Sequence, residues 1–248
     1  MGGAAPALRV DRVAAVHGRG AQARQALAPT SLTVEGGESV AVVGRSGAGK
    51  STLADIVLGL RSPAEGRVVV RGLAWCSPSS APERRHRRLV QGVPQDPAAS
   101  FVPRWTLRAS IEHAIRRLER AAHGSGPGGP GDPHNADAGT RAGLEARIER
   151  AAGLASLDPA LLDRRPSEVS GGQAQRAAIA RALAADPAVL VADEPTSALD
   201  PETSWEVQTA LLTASAQSGI ALLLVTHDPA FAARCTTTVR LAAPATPR

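Results

Sequence analysis

The stretch Gly44-Arg45-Ser46-Gly47-Ala48-Gly49-Lys50-Ser51-Thr52 reads as Gly, four residues, then Gly-Lys-Ser/Thr, a spacing that lets a backbone wrap around phosphate. Glycines at 44, 47 and 49 permit conformations that a Cβ forbids, so successive N–H groups can converge on one anion. Lys50 is expected to reach the β- and γ-phosphates as a point charge. The Ser51 hydroxyl is expected to complete the shell of a Mg²⁺ carried in with the nucleotide. The flanks suit this reading. Ser39 to Val43 is a short apolar run of buried-strand type, and Thr52 to Leu58 has the apolar spacing of a helix, so the glycines lie between strand and helix. The chain is therefore expected to bind a nucleoside triphosphate.

Strand and helix signals alternate over the rest of the chain. Leu8 to Val16 and Ser31 to Val34 read as strands of a small β element, with a turn at Gly18-Arg19-Gly20. Ser62 to Gly66 is a turn signal ahead of a strand at Arg67 to Arg71, and a further β segment, Leu89 to Val93, ends at Pro94-Gln95-Asp96-Pro97. Leu107, Ile111, Ile115 and Leu118 have helical spacing, as does Arg141 to Leu154, and these two helices are expected to form a lobe. Between them the Gly/Pro tract at 123–140 cannot build a core and reads as a flexible surface loop. A helix is expected from Ser170 to Ala184, and buried strands at Val189 to Ala192 and Ala221 to Val225. Such alternation predicts an α/β fold with a parallel sheet covered on both faces.

Chemistry-bearing residues follow these strands. Asp193 and Glu194 should emerge at the carboxyl end of a central strand, where open α/β sheets place their ligands. Asp193 suits a Mg²⁺ shell, and Glu194 is the candidate to take a proton from a water attacking the γ-phosphate. Ser170-Gly171-Gly172-Gln173 has two readings. The serine can cap its own helix, or the serine, the glycine N–H groups and the helix N-terminus can together receive a phosphate.

The P-loop, Val169-Ser170-Gly171-Gly172-Gln173, the strand ending in Asp193-Glu194, Ser197-Ala198-Leu199-Asp200 and His227, in that order, resemble the nucleotide-binding subunit of ABC ATPases. The resemblance covers nearly the whole chain. It implies a single domain over 1–248 that binds and hydrolyses ATP with Mg²⁺. Residues 1–93 and 168–248 would supply an antiparallel β element and the nucleotide-binding core, and about 94–167 the Q-loop and helical lobe. It implies a head-to-tail pair of such subunits, in which Ser170, Gly171, Gly172 and Gln173 of one close on the ATP held by the P-loop of the other. It makes Glu194 the base and His227 a contact to the γ-phosphate. Gln95 becomes the Q-loop glutamine, touching Mg²⁺ beside Ser51 and Asp193 and reporting nucleotide state to a partner. Relatives stack adenine on an aromatic residue of the early β element, whereas the matching region here offers Val16-His17, leaving His17 for that place.

Gln95-Asp96-Pro97-Ala98-Ala99-Ser100-Phe101-Val102-Pro103-Arg104-Trp105-Thr106 is similar to a pattern in importer subunits for dipeptides, oligopeptides and nickel, and Leu157 to Pro166 resembles their segment before the signature. The compact length leans toward the nickel-type branch. The implied setting is the cytoplasmic face of a bacterial membrane, with peripheral attachment. The implied partners are transmembrane permease subunits, a second ABC ATPase subunit and, indirectly, an extracytoplasmic solute-binding protein. A soluble non-transport ABC ATPase and a regulatory cassette are the alternatives.

Composition narrows the field further. The net charge is +5, but Lys50 is the only lysine among 28 basic residues, and this arginine bias together with abundant alanine and glycine weakens any inference of a nucleic-acid partner. Arg84-Arg85-His86-Arg87-Arg88 reads as a solvated loop. Two cysteines, Cys76 and Cys235, lie far apart in sequence with no CxxC partner or nearby histidine pair, so neither a zinc site nor a disulfide framework is indicated, and no apolar run has the length of a membrane span.

Overall fold

Burial alternates along the innermost strands. In the computed structural model, Val189 and Val191 face one apolar cluster while Leu190 and Ala192 face another; Ala221, Leu223 and Val225 divide from Leu222 and Leu224 in the same way. Both faces of this sheet are thus covered, which is why its strands read as unbroken apolar runs. Leu222, Leu223 and Leu224 are all at 0% exposure, each contributing roughly 1.5–3 kcal/mol of transfer free energy. The structure describes residues 5–18, 24–97, 100–123 and 140–242. The loop expected at 123–140 falls almost wholly outside these residues, as do Arg19 and Gly20 of the expected turn.

The elements in chain order are β1 (Leu8–His17), β2 (Arg24–Val34), β3 (Ser39–Val43), α1 (Lys50–Val57), β4 (Glu65–Val70), β5 (Leu73–Cys76), β6 (Val90–Val93), α2 (Leu107–His123), α3 (Arg141–Leu154), α4 (Gly171–Leu183), β7 (Val189–Asp193), α5 (Pro201–Ser218), β8 (Ala221–Val225), α6 (Pro229–Ala233) and β9 (Thr237–Arg240). Strands β6-β7-β8-β3-β9 form a parallel sheet in that order, and β2-β1-β4-β5 form a separate antiparallel sheet. Parallel pairing sends the carboxyl ends of β6, β7, β8 and β3 to one edge, the edge that receives ligands in open α/β sheets.

One face of the parallel sheet is covered by α1 and the antiparallel sheet, through Leu53, Ile56 and Val57 on the helix and Leu8, Val10, Leu27 and Val34 on the strands. The other is covered by α4 and α5, and α2 and α3 continue the same cluster through Leu107, Ile111, Ile115, Leu144 and Ile148. The lobe helices expected from periodicity are therefore present and joined to the core by continuous apolar contact.

Several boundaries differ from expectation for identifiable reasons. Strand β4 begins at Glu65 rather than Arg67. Gly66 takes φ 78° where β1 is irregular between Asp11 and Ala14, and a Cβ there would lie 2.3 Å from the Asp11 and Arg12 carbonyl oxygens. Strand β2 starts at Arg24, seven residues before the expected Ser31, because pairing with β1 extends to His17. The basic run, expected as a loop, is a 3₁₀ turn over Arg84–Leu89. Strand β5 and helices α5 and α6 had no counterpart in the sequence reading.

Candidate functional site

The glycine loop runs from the end of β3 into α1. Gly49 is the residue before the helix, with φ 93°, and a Cβ there would lie 2.4 Å from the Ala26 carbonyl oxygen and 3.0 Å from Leu27 Cα. Strand β2 therefore seats the loop from behind, at a distance only glycine tolerates. Arg45, Ser46 and Gly47 are exposed, whereas Ala48 and Gly49 are buried. Lys50 is half-buried, and its Nζ donates to the Gly44 carbonyl at 2.9 Å and the Arg45 carbonyl at 3.2 Å. The cation is thus folded over its own loop. Helix α1 has neither a side-chain cap nor an acidic residue in its first turn, so no carboxylate competes for its N-terminal N–H groups. Ser51 is exposed and Thr52 half-buried in that first turn.

At the end of β7, Asp193 Oδ1 is buried and has no hydrogen-bond partner among the described residues. An orphaned carboxylate oxygen is costly without a cation or donor to meet it. Burial first, and then the Asp193 charge, raise the Asp55 carboxyl above its ordinary range against the opposing effect of Arg61. Glu194 follows with φ 48°, unusual for a residue with a side chain. Its N–H donates to the Val225 carbonyl at 2.9 Å, tying the turn to β8. Its Oε2 lies 2.8 Å from His227 Nδ1, which follows β8.

Gln95 leaves the end of β6, and its Nε2 donates to Ser197 Oγ at 3.2 Å; Ser197 Oγ in turn donates to the Glu194 carbonyl at 3.1 Å. Among the described residues no group of three or more His, Cys, Asp or Glu side chains is placed to hold a metal. A cation here would depend on hydroxyl, amide and phosphate oxygens together with Asp193.

Ser170 caps α4. Gln173 N–H donates to Ser170 Oγ at 3.3 Å, and Ser170 N–H donates to Gln173 Oε1 at 2.9 Å, a reciprocal capping box. Ser170 and Gly171 are nevertheless exposed. Gly172 is buried against α5, where a Cβ would lie 2.0 Å from Thr203 Cγ2.

His17 ends β1 opposite Arg24. Both its ring nitrogens lie 3.3 Å from one guanidinium nitrogen of Arg61, whose other terminal nitrogen donates to the Val16 carbonyl at 2.7 Å. Arg61 thus occupies the imidazole; nothing in the sequence around Leu60-Arg61 announces that contact. The parallel sheet brings the glycine loop, Gln95, Asp193, Glu194 and His227 to one edge, while Ser170 and Gln173 bond to each other at the start of α4.

Comparison with known proteins identifies the family. The family model described as ABC transporter matches residues 27–197. The chain is 38% identical over 221 residues to the nickel import ATP-binding protein NikE of Brucella abortus (strain 2308), a match covering 87% of this chain and 76% of the relative. It is 37% identical over 198 residues to the protein of the same name from Escherichia coli (strain K12), covering 80% and 67%. A dimeric structure of a post-hydrolysis state of the ATP-binding cassette MJ0796, bound to ADP and Pi, superposes with a TM-score of 0.73 at 26% identity over 94% of both chains. The family model spans more than half of the chain and the relatives match it at 37–38% identity, so the chain belongs to the ABC transporter family as one of its ATP-binding ATPase subunits.

Proposed function

We propose that this chain is the ATP-hydrolysing subunit of an importer for nickel-type or peptide-type solutes, attached peripherally to the cytoplasmic face of a membrane through permease subunits. The convergence of Lys50, Asp193, Glu194 and His227 on one sheet edge carries the ATPase part. The solute class draws support from relatives named as nickel import ATP-binding proteins and from the Gln95-to-Thr106 pattern. Among the described residues no helix is long and apolar enough to cross a membrane; on this reading permease subunits supply the path.

Within the site, Gly44 to Thr52 would cradle the phosphates by backbone N–H groups, and Lys50 would exchange its two loop carbonyls for phosphate oxygens. Asp193, Ser51 and Gln95 offer the oxygen donors that Mg²⁺ takes, and the unpartnered Asp193 Oδ1 fits that demand. When bound, Mg²⁺ neutralises charge developing on the phosphates. Glu194 would accept the proton of the attacking water, with His227 steadying its carboxylate. Ser170 and Gly171, exposed at the start of α4, would meet the nucleotide of a second ABC ATPase subunit. His17 would contribute to the adenine side together with Arg61.

Residues 94–167 would act as the lobe that passes motion to the permease. A groove of about 790 Å³ runs between α2, the 3₁₀ turn and the segment after Gln95. Arg84, Arg87 and Arg117 line it without carboxylate partners among the described residues, which suits an acidic permease segment.

The test is to isolate Glu194→Gln protein with Mg·ATP from gently solubilised source cells and identify its companions by mass spectrometry. Recovery of polytopic membrane proteins supports the importer. Recovery of ribosomes, DNA or soluble proteins alone would replace it with a non-transport ATPase.

A further inference from the structure

Ser197 stands where two parts of the site meet, between the Glu194 carbonyl at 3.1 Å and the Gln95 side-chain amide at 3.2 Å. A serine hydroxyl has one proton to give. The Glu194 carbonyl can only accept, so it takes that proton, and Ser197 must receive its second hydrogen bond. Gln95 therefore turns its NH₂ toward Ser197, and its Oε1 becomes the free end of the amide. The Ser197 N–H also approaches the Glu194 carbonyl, at 3.3 Å, so one carbonyl closes the turn twice. Such closure has a purpose at this place. Glu194 holds a left-handed φ of 48° without being glycine, a conformation that persists only where its surroundings impose it.

We infer that Ser197 is a positioning residue for ATP hydrolysis, holding the Glu194 backbone in the turn that brings its carboxylate to His227 and orienting the Gln95 amide with its oxygen free. The inference rests on the roles proposed above for Glu194 and Gln95. It explains how one hydroxyl serves two groups that follow different strands. Gln95 follows β6 and Glu194 follows β7, and the Gln95–Ser197 link spans 102 residues of sequence. Displacing Gln95 leaves the Ser197 donation to Glu194 intact, whereas removing the hydroxyl frees the Gln95 amide and leaves the Glu194 carbonyl with the Ser197 N–H alone. Positioning by Ser197 thus acts on the base through the backbone and on the cation site through an amide rotation.

Ser197 is exposed, so Ser197→Ala removes no core packing. In the nucleotide-free chain, this variant should raise hydrogen exchange at the Glu194 and Ser197 amides about tenfold. It should also shift the Gln95 side-chain NH₂ resonances, identified by their loss in Gln95→Glu, and Ser197→Thr should restore both signals. With Mg·ATP, Ser197→Ala should lower kcat about tenfold and leave KM for ATP within about twofold, the pattern of a lost transition-state interaction. Unchanged exchange and unchanged Gln95 resonances in Ser197→Ala would overturn the inference whatever the kinetics. Turnover by Glu194→Gln at the wild-type rate would overturn the role of Glu194 as base instead, and the exchange result would still report whether Ser197 holds the turn.

Discussion

Glu194 Oε2 and His227 Nδ1 lie 2.8 Å apart, joining the ends of two adjacent parallel strands by their side chains. The glutamate side chain is 20% exposed and the histidine 72%, so the imidazole approaches from the open side. On the proposed reading, Glu194→Gln keeps the shape and removes the proton acceptor. Turnover should fall by about two orders of magnitude or more, with nucleotide binding retained. His227→Ala should lower turnover by a smaller factor, since the carboxylate remains. Phosphate release together with equilibrium nucleotide binding checks both, and a Glu194→Gln variant as fast as wild type would exclude the assigned base.

Lys50 presents a different case, because its ammonium already has two carbonyl partners in the loop. Lys50→Ala removes the point charge offered to phosphate without opening the apolar core. ATP affinity should fall about tenfold or more, since charge-assisted hydrogen bonds are roughly twice as strong as neutral ones. Calorimetric titration measures the loss. A matching fall in thermal midpoint would show that Lys50 instead holds the fold.

Legibility in the sequence followed the physics of each element. Strands β3, β7 and β8 are buried on both faces, so they read as apolar runs, and the residues after them could be placed at one edge. Helix α5 was missed because Gln208 and Ser215 interrupt its buried face; Gln208 bonds Asp228 and Arg234, and Ser215 Oγ donates to the Ile220 carbonyl at 2.7 Å. The stop and start signals were present in Asp200-Pro201 and Gly219, which cap it. Strand β5 was missed because the chain reverses at Arg71-Gly72, both with positive φ, and an arginine gives no sign of that conformation. The hydroxyl contacts of Ser197 and the grip of Arg61 on His17 arise only when distant segments meet, so no local pattern carries them.

Cys76 lies beneath the end of α1, donating to the Ile56 carbonyl at 3.4 Å, and burial pushes its thiol up from 9.0 to about 11. Its contribution to stability is complete below the unfolded value of 9.0. It declines as pH rises above 9.0, where the unfolded chain loses the proton first, and is gone above about 11. The stability gap between wild type and Cys76→Ala should therefore narrow between pH 8 and pH 10.5 in urea titrations, conditions set roughly on either side of the unfolded thiol pKa. At neutral pH, iodoacetamide should modify the half-buried Cys235 before Cys76, although burial raises that thiol too. Faster labelling of Cys76, read by peptide mapping, would contradict its burial.

Gly172 tests how α4 is seated on α5. A Cβ at this position would lie 2.0 Å from Thr203 Cγ2 and 3.5 Å from Thr203 Cβ, so the conflict is with one methyl group. Thr203 has few χ1 rotamers on a helix, and its backbone cannot easily retreat because its N–H donates to Asp200 Oδ1 at 3.0 Å in the cap of α5. Gly172→Ala should therefore destabilise the chain by about 1–3 kcal/mol, the usual range for overpacking. Thr203→Ala removes Cγ2 and leaves only the ordinary contact at Cβ. In the double variant the helix propensity of alanine, roughly 0.5–1 kcal/mol better than glycine, is no longer opposed by the clash. The double variant should consequently be more stable than Gly172→Ala alone, with a coupling of about 1–2 kcal/mol. Denaturation midpoints measure this without reference to turnover, which matters because Gly172 also belongs to the segment proposed to meet a second subunit's nucleotide. Additive losses in the double variant would mean that Thr203 is not what requires glycine here.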